Sequence, residues 1–302
     1  MFYTRLLKYE LPLVRGEDVV AVQNQLRELG MATGEPDGIY GPRTRESVSK
    51  FQTAQGLRPD GMVGPLTWNR LFGDKADTDY AERLSGLLPE LTQSHGFRDS
   101  VRWALTAKGI SIANEAPERT KGKPETVSRV WSELRVPLAE WSSTFGIPVE
   151  LIIATICTES GGNLKVEARE EKGYVSDEET PNRVSPGIMQ TLISTARTAL
   201  GNDSIDRAWL SQPANSIQAG TAYIASQWKI THLDPPKVAC AYNAGAVYYN
   251  AAEENRWKMR QYPVGTAAHA DRFIKWLNDC FEVLGAQNNL PDMSFVTTLG
   301  NS

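Results

Sequence analysis

The chain has 302 residues, a length typical of about two globular domains. Hydrophobic residues make up 41% and charged residues 23%, as in ordinary globular proteins, and the formal net charge is −4. This acidic balance leaves no basic excess to follow a phosphate backbone, so we expect no nucleic-acid partner.

The sequence shows no targeting or membrane segment. Residues 1–18 are too interrupted by charge for the apolar core of a signal peptide, so we expect no export signal. The longest apolar run, near 151–157, is far shorter than a membrane span, so we expect no membrane insertion.

Cysteine and histidine usage argues against disulfides and metals. The three cysteines lie in apolar settings, and their odd number predicts reduced core residues: Cys157, Cys240 and Cys280. The three histidines are scattered without metal-ligand spacing. We therefore expect no metal and no other cofactor.

A repeat marks the N-terminal part of the chain. It reads D-G-I-Y-G-P-R-T at 37–44 and D-G-M-V-G-P-L-T at 60–67. Asp-Gly and Gly-Pro pairs are turn signals, and proline is tolerated in a first helical turn, so each copy predicts a turn followed by a helix. An upstream helical stripe over 19–29 ends at Gly30. Together these segments predict a compact three-helix module over about residues 10–73.

The module resembles the peptidoglycan-binding domain 1 family. The residues that carry the resemblance are Val22-Gln23, Leu26, Gly30, the two repeats, Phe51-Gln52, Gly56-Leu57 and Thr67-Trp68. The resemblance implies that this part of the chain, 1–74, binds the cell wall. Candidates for touching glycan or peptide are Tyr40, Gln52 and Trp68, and the alternative is that these residues only build the fold.

Residues 75–126 are interpreted as a helical connector. Leucines at three- and four-residue spacing predict a helix over 84–91, and Val101, Ala104 and Leu105 predict a second. Because apolar stripes need cover, we expect both helices to pack on the domain that follows.

The remaining residues, 127–302, predict a mostly helical domain. Helical stripes alternate with breaks rich in Gly, Asn and Pro, and no run of alternating strand pattern occurs. The last segment, 287–302, has no periodicity and predicts a loosely held tail. The predicted fold class is therefore all-α, with the small module followed by the connector and a helical domain.

One apolar helix of this domain ends on a carboxylate. Residues 149–157 are apolar on nearly every side, which is typical of a buried helix, and Gly161-Gly162 ends it. Glu159 lies in the last turn, where burial and the negative end of the helix dipole both disfavour the ionised form. We predict a pKa raised toward about 6–7, which suits a general acid. The alternative is a glutamate that simply faces solvent at a helix end.

Four short motifs occur in order over the next residues. They read E-S-G-G at 159–162, G-I-M-Q at 187–190, G-T-A-Y-I at 220–224 and A-Y-N-A-G at 241–245. In this order and spacing they resemble the soluble lytic transglycosylase (SLT) domain, a family with a lysozyme-like fold.

The resemblance implies cleavage of the β-1,4 bond between N-acetylmuramic acid and N-acetylglucosamine. Glu159 would protonate the leaving oxygen and then accept the proton of the muramic C6 hydroxyl, giving a 1,6-anhydro product. The residues implied in substrate binding are Ser160, Met189 through its backbone, Gln190, Tyr223, Tyr242 and Asn243. Tyr223 has an equally good alternative reading as a core tyrosine.

The loop between Glu159 and Gly187 is longer than the plain family pattern. Its charged part, 165–183, holds six acids: Glu167, Glu170, Glu171, Asp177, Glu178 and Glu179. We interpret most of them as a solvated face. One of them could instead hold a water opposite Glu159, which would make the protein a hydrolytic muramidase. A non-catalytic wall-binding or virion structural protein is the third alternative.

The combination of a wall-binding module with a wall-degrading domain, without signal peptide or disulfides, resembles a bacteriophage endolysin. This resemblance implies a protein that waits in the host cytoplasm until a holin opens the membrane. It would then act on peptidoglycan glycan strands in the periplasm or cell wall. We expect it to be a monomer.

Overall fold

The computed structural model describes residues 5–31, 34–57, 59–72, 74–122 and 124–300. Within these ranges the chain is mostly helical, and its β structure consists of two antiparallel sheets of two strands each. The predicted all-α fold class is confirmed. Across the same ranges, every helix is too short or too polar to serve as a membrane span.

The N-terminal part contains the three predicted helices. They are α1 (Glu17–Glu28), α2 (Pro42–Ala54) and α3 (Pro65–Phe72). Both α2 and α3 begin at a proline, whose missing N–H would have no helical partner at that position. The buried side chains of this part form one hydrophobic cluster, which contains Leu7, Val19, Val22, Leu26, Tyr40, Val48, Phe51, Val63, Trp68 and Leu71.

Two buried glutamines hold the two repeated loops in the same way. Gln23 accepts the N–H of Gly38 at 2.9 Å, and Gln52 accepts the N–H of Gly61 at 2.8 Å. The Nε2 of each glutamine donates to an aspartate, a backbone carbonyl and a threonine of its loop. Each repeat thus closes a satisfied polar network inside the module, as buried amide groups require.

The three residues predicted to contact the wall lie inside the module. Tyr40, Gln52 and Trp68 have exposed fractions of 0%, 2% and 1%. The Tyr40 hydroxyl donates to the carbonyl of Gly61 at 3.1 Å, and the amide of Gln52 bonds its own loop. The prediction that these side chains contact the wall is wrong, because they fill the small core of the module beside its tight loops.

Helix α4 (Asp74–Thr92) connects the module to the rest of the chain. Its leucines Leu84, Leu88 and Leu91 are buried in one cluster with side chains from the C-terminal half. The helix therefore lies against that half with its apolar stripe covered.

The second predicted connector helix is a β-hairpin. Strands β1 (Trp103–Thr106) and β2 (Gly109–Ile112) pair antiparallel across a two-residue turn. Trp103 and Leu105 point into the core, with the alternation expected of a strand. The N–H of Ile110 donates to Asn278 Oδ1 at 2.7 Å, so a partner far along the chain stabilises the hairpin. The helix predicted from the spacing of Val101, Ala104 and Leu105 is therefore wrong. Local spacing does not reveal a partner such as Asn278, which lies far along the chain.

The C-terminal half is built from nine helices and one short strand pair within the described ranges. The helices are α5 (Glu125–Phe145), α6 (Val149–Ser160), α7 (Ile193–Leu200), α8 (Arg207–Leu210), α9 (Pro213–Ser226), α10 (Trp228–Thr231), α11 (Pro235–Ala244), α12 (Ala268–Gly285) and α13 (Phe295–Gly300). Strands β3 (Arg169–Glu170) and β4 (Val184–Ser185) close the long charged loop at its base.

Helix α6 lies at the centre of this half. All residues from Val149 to Thr158 are buried, so the predicted helix with apolar contacts on every side is confirmed. It packs against α12, α5 and α11, and its neighbour α9 covers α5 and α7. The three cysteines are free and buried, as predicted.

The predicted loose tail is wrong, because residues 293–295 are buried. Glu150, in the first turn of α6, is 0% exposed and accepts three hydrogen bonds from the tail. They come from Ser294 Oγ at 2.5 Å and from the N–H groups of Phe295 and Val296 at 3.1 Å each. Burial raises the Glu150 pKa, and these bonds oppose the rise. The sequence of the tail could not reveal a partner about 140 residues away.

Replacing Glu150 by glutamine should lower the free energy of unfolding by about 2–3 kcal/mol, because an amide donor would then face backbone donors in a dry site. The matched control is Glu140→Gln on the exposed face of α5, which should change stability by less than about 0.5 kcal/mol. Urea unfolding measures both. Equal stability of the two variants would show that the tail is not held through Glu150.

Candidate active site

The carboxyl group of Glu159 lies at the end of α6 in a sheltered position. Its side chain is 9% exposed. Oε1 is 3.7 Å from His269 Nε2, and Oε2 is 3.8 Å from Arg169 Nη1. Both distances exceed hydrogen-bond length, so neither neighbour holds the carboxylate tightly.

Burial raises the pKa of Glu159 to about 7, and the positive charges of Arg169 and Arg272 oppose this rise without cancelling it. The predicted rise and its main cause, desolvation, are confirmed. Burial and the nearby Arg272 and Arg169 charges lower the pKa of His269 to about 3. His269 is therefore neutral at neutral pH and adds no charge beside Glu159.

A cavity of about 620 Å³ opens at the carboxyl group of Glu159. Its walls come from the end of α6, the segment before α7, the middle of α9 and the end of α11. The residues lining it are Glu159, Arg169, Glu171, Ser185, Gln190, Thr191, Leu192, Thr195, Tyr223, Tyr242, Asn243, Ala244, Gly245 and Tyr262. The fold thus brings together one residue or more from each of the four sequence motifs.

Helix α11 presents Tyr242 and Asn243 to this cavity. The Tyr242 hydroxyl donates to the carbonyl of Met189 at 2.8 Å and accepts from Thr191 Oγ1 at 2.8 Å. Because the hydroxyl is buried, its pKa is raised well above the usual value and it stays protonated. Asn243 Oδ1 accepts the N–H of Tyr262 at 2.6 Å, which fixes the direction of its amide.

Gln190 lies between Met189 and Thr191, the two partners of the Tyr242 hydroxyl, in a constrained conformation. Its φ is +48°, in the left-handed region that side chains with a Cβ rarely adopt. Its Nε2 donates to the carbonyl of Gly187 at 2.9 Å, and its exposed fraction is 7%. This bond holds the amide at the cavity wall and offsets part of the backbone strain.

Two family models match the chain. The peptidoglycan binding domain model matches residues 15–71, and the Transglycosylase SLT domain model matches residues 137–263. The chain joins a peptidoglycan binding domain to an SLT domain. The second match includes all four motifs around the cavity.

Curated relatives resemble only part of the chain. An uncharacterized protein in the bpoA1 3' region of Kitasatospora aureofaciens is 49% identical over 57 residues, which cover 18% of this chain and 48% of the relative. The N-acetylmuramoyl-L-alanine amidase CwlM of Mycobacterium tuberculosis is 39% identical over 97 residues, 32% of this chain and 22% of the relative. The chain therefore spans less than half the length of these relatives.

Among solved structures, a Burkholderia AP3 phage endolysin aligns with 94% of this chain and 100% of its own at 14% identity. The TM-score is 0.32, which is too low to carry an argument about fold or function.

Two predicted site residues of the SLT domain do not line the cavity. The Ser160 hydroxyl donates back to the carbonyl of Ile156 at 2.9 Å. Met189 is fully buried, and a Cβ at Gly220 would lie 2.5 Å from its sulfur. Its carbonyl is occupied by the Tyr242 hydroxyl. Met189 therefore positions Tyr242 instead of forming the surface of the cleft.

Sequence reasoning missed several residues around Glu159. Arg169 and Ser185 are brought to the cavity by the β3–β4 pair, and Tyr262 by a loop after α11. His269 reaches Glu159 from the first turn of α12. Arg169 lies among many charged residues of the long loop and carries no signal that sets it apart, and no local pattern marks the other three.

The acids of the long loop have different surroundings. Glu170 and Asp177 pair with Arg207 at 2.8 and 2.7 Å. Glu171 is exposed to solvent and lines the cavity of Glu159. It is therefore the loop acid that the hydrolytic alternative would need.

The raised pKa of Glu159 predicts a pH-dependent stability difference. The pKa of Glu159 is about 7 in the folded protein and 4.5 ordinarily. The contribution of this group to the free energy of unfolding is therefore fully present below pH 4.5 and is lost as pH rises through 7. Glu159→Gln removes this loss, so its advantage over the wild type should grow to at most about 3 kcal/mol above neutral pH.

Thermal unfolding from pH 4 to 9 measures this difference, and Glu140→Gln on the exposed face of α5 is the matched surface substitution. An advantage of Glu159→Gln that is the same at every pH would contradict the buried, proton-binding carboxyl group.

Proposed function

We propose that the chain is a murein lytic transglycosylase that cleaves the β-1,4 bond between N-acetylmuramic acid and N-acetylglucosamine. The observation that carries the proposal is a sheltered carboxyl group with a pKa of about 7 in the same cavity as Tyr242 and Asn243. At neutral pH such a group can both release and accept a proton.

The proposed reaction uses Glu159 twice. The protonated carboxyl group first gives its proton to the glycosidic oxygen as the bond to C1 of the muramic sugar breaks. The carboxylate then removes the proton of the C6 hydroxyl while the C6 oxygen bonds to C1. The product is a 1,6-anhydro sugar, Glu159 is again protonated, and no water is consumed.

The other cavity residues bind and orient the sugar in this proposal. Asn243, held by Tyr262, offers its amide hydrogens, and Gln190, whose Nε2 is bonded to the carbonyls of Gly187 and Glu167, offers its amide oxygen. The Tyr223 ring, 5.2 Å from that of Tyr242, gives an apolar floor on which a sugar face can rest. Arg169 can favour the carboxylate after proton transfer.

The proposal assigns wall binding to 1–74, connection to 75–126 and cutting to 127–302. With Tyr40, Gln52 and Trp68 buried, we place the wall contact at a groove of about 480 Å³ on the module. Its lining residues are Tyr9, Pro42, Arg45, Glu46, Ser49, Lys50, Pro59 and Asp60. Binding of the module to the wall would raise the local concentration of substrate at the catalytic domain.

The pairing of a wall-holding module with a cutting domain also supports a bacteriophage endolysin as the biological context. Such a protein lyses a host cell from within, after a holin admits it to the wall. This part of the proposal predicts lysis of cells only when their membrane is permeabilised.

Glu159→Gln should lower murein cleavage by about 10²- to 10⁴-fold, because the proton donor is removed while the shape is kept. Release of soluble muropeptides measures the rate, and mass spectrometry of wild-type products should show 1,6-anhydro ends. The control, Glu140→Gln, should cleave at the wild-type rate. Undiminished lysis by Glu159→Gln would remove Glu159 from the reaction.

A hydrolytic muramidase is the second candidate, favoured by Glu171 in the same cavity. For a transglycosylase, Glu171→Gln should retain activity within about three-fold and still give anhydro ends, since no second carboxylate acts. For an inverting hydrolase the same variant should lose about 10²-fold or more, and wild-type products should carry reducing ends. Product mass spectrometry with this variant separates the two.

A further inference from the structure

A second cavity, of about 380 Å³, adjoins the first. The residues lining it are Arg5, Leu6, Ser194, Thr195, Thr198, Ala199, Tyr223 and Ser226. Thr195 and Tyr223 line both cavities, so the two lie side by side. Two of its walls belong to the SLT domain and the third belongs to the N-terminal segment.

The two helical walls carry hydroxyl groups. Helix α7 contributes Ser194, Thr195 and Thr198, and the end of α9 contributes Ser226. The hydroxyls of Thr198 and Ser226 donate to carbonyls of their own helices, at 3.0 and 2.7 Å, and keep lone pairs for a donor from outside. Tyr223 adds a partly exposed ring between them.

Successive side chains of the N-terminal segment face in opposite directions, one toward the core of the module and the next toward α7. Leu7 is fully buried in the module and pairs with Val63 through backbone bonds of 3.2 and 2.8 Å. Its neighbour Leu6 therefore points away from the core of the module and lies at its surface near Gly64. It meets Gly201 just past α7, where a Cβ would lie 2.8 Å from Leu6 Cδ1.

A further contact joins the module to the end of α7. A Cβ on Gly64 would lie 3.1 Å from the carbonyl oxygen of Leu200, so the two backbones approach closely. Farther along α3, the Asn69 amide donates to the carbonyl of Thr144 on α5. These two contacts hold the wall that Leu6 forms against the SLT domain.

Arg5 places a positive charge at this edge of the depression. Its guanidinium pairs with Asp18 through bonds of 2.7 and 2.9 Å, which fixes its orientation. The Arg5 side chain is still 46% exposed. An exposed, oriented guanidinium can bind a carboxylate from solution as well.

We propose that Arg5 and Leu6 complete an extended binding groove for the glycan strand, in which Arg5 meets a carboxylate of a peptide stem at the edge of the second cavity. This inference rests on the proposed function, since the ligand is the substrate of the adjoining cleft. Hydroxyl-bearing walls with an aromatic ring suit sugars, and a single cation at the far end suits an anionic stem.

The groove makes the docked module part of substrate recognition. A strand long enough to reach from Glu159 past Thr198 to Arg5 gains contacts that a short fragment does not. The protein should therefore prefer long glycan strands over fragments that fill only the first cavity.

Thr198→Trp tests the path by filling the second cavity with a large ring. It should lower cleavage of long glycan strands by about ten-fold more than cleavage of short fragments. The matched control is Ser132→Trp on the exposed face of α5, outside both cavities, with wild-type activity on both substrates. If the ratio of the cleavage rate on long strands to that on short fragments is the same for Thr198→Trp and for the control, the proposed groove is overturned.

Arg5→Gln tests the charge, and Arg27→Gln on α1 is its control because it removes an exposed, acid-paired cation that lies outside both cavities. Binding of long strands to Glu159→Gln protein should weaken about three- to ten-fold with Arg5→Gln and by less than two-fold with Arg27→Gln. The loss should vanish for strands stripped of peptide stems. The role of Arg5 would be overturned if both substitutions weakened binding equally. It would also be overturned if Arg5→Gln weakened the binding of strands without peptide stems as much as that of intact strands.

These readouts separate the groove from the catalytic assignment. Wild-type protein that releases no fragment from murein would contradict the proposed function. If the wild-type protein cleaves murein but neither strand length nor peptide stems change the effect of any variant on cleavage or binding, the groove alone is contradicted. The strand-binding measurement does not depend on turnover, so it decides the groove in either case.

Discussion

The burial of one carboxyl group at the end of an apolar helix is the constraint on which the proposed chemistry depends. Helix α6 carries two glutamates, and the structure treats them in opposite ways. Glu150, at its start, accepts three hydrogen bonds from the C-terminal tail. Glu159, at its end, has His269 at 3.7 Å and Arg169 at 3.8 Å, both beyond hydrogen-bond length. Desolvation raises both pKa values, but only Glu159 is left without tight bonds and open to a cavity.

The motifs around Glu159 hold one another as well as facing the cavity. Met189 is out of reach of a ligand, and its carbonyl anchors the Tyr242 hydroxyl. Gln190 keeps its strained backbone through a bond to Gly187. A short motif therefore mixes residues that line the cleft with residues that position them, and only coordinates separate the two groups.

Much of the architecture could be predicted because it follows from local pattern. The repeats predicted the turns and the helices that begin at Pro42 and Pro65, and the apolar run predicted a buried α6 with a high Glu159 pKa. Failures occurred where distant contacts outweigh local spacing. The segment at Trp103 is a hairpin because Asn278 bonds it, and the tail is ordered because three of its donors bond the buried Glu150.

The sequence by itself determined the two-part organisation, the helical class and the main candidate acid, because periodicity, motif order and a long apolar run are local features of the chain. Only the tertiary structure decided that Tyr40, Gln52 and Trp68 are core residues, that Arg169 and His269 flank Glu159, and that Leu6 lies against α7. The physical reason is that burial and electrostatics depend on three-dimensional distance. Residues separated by a hundred positions leave no local pattern when they meet.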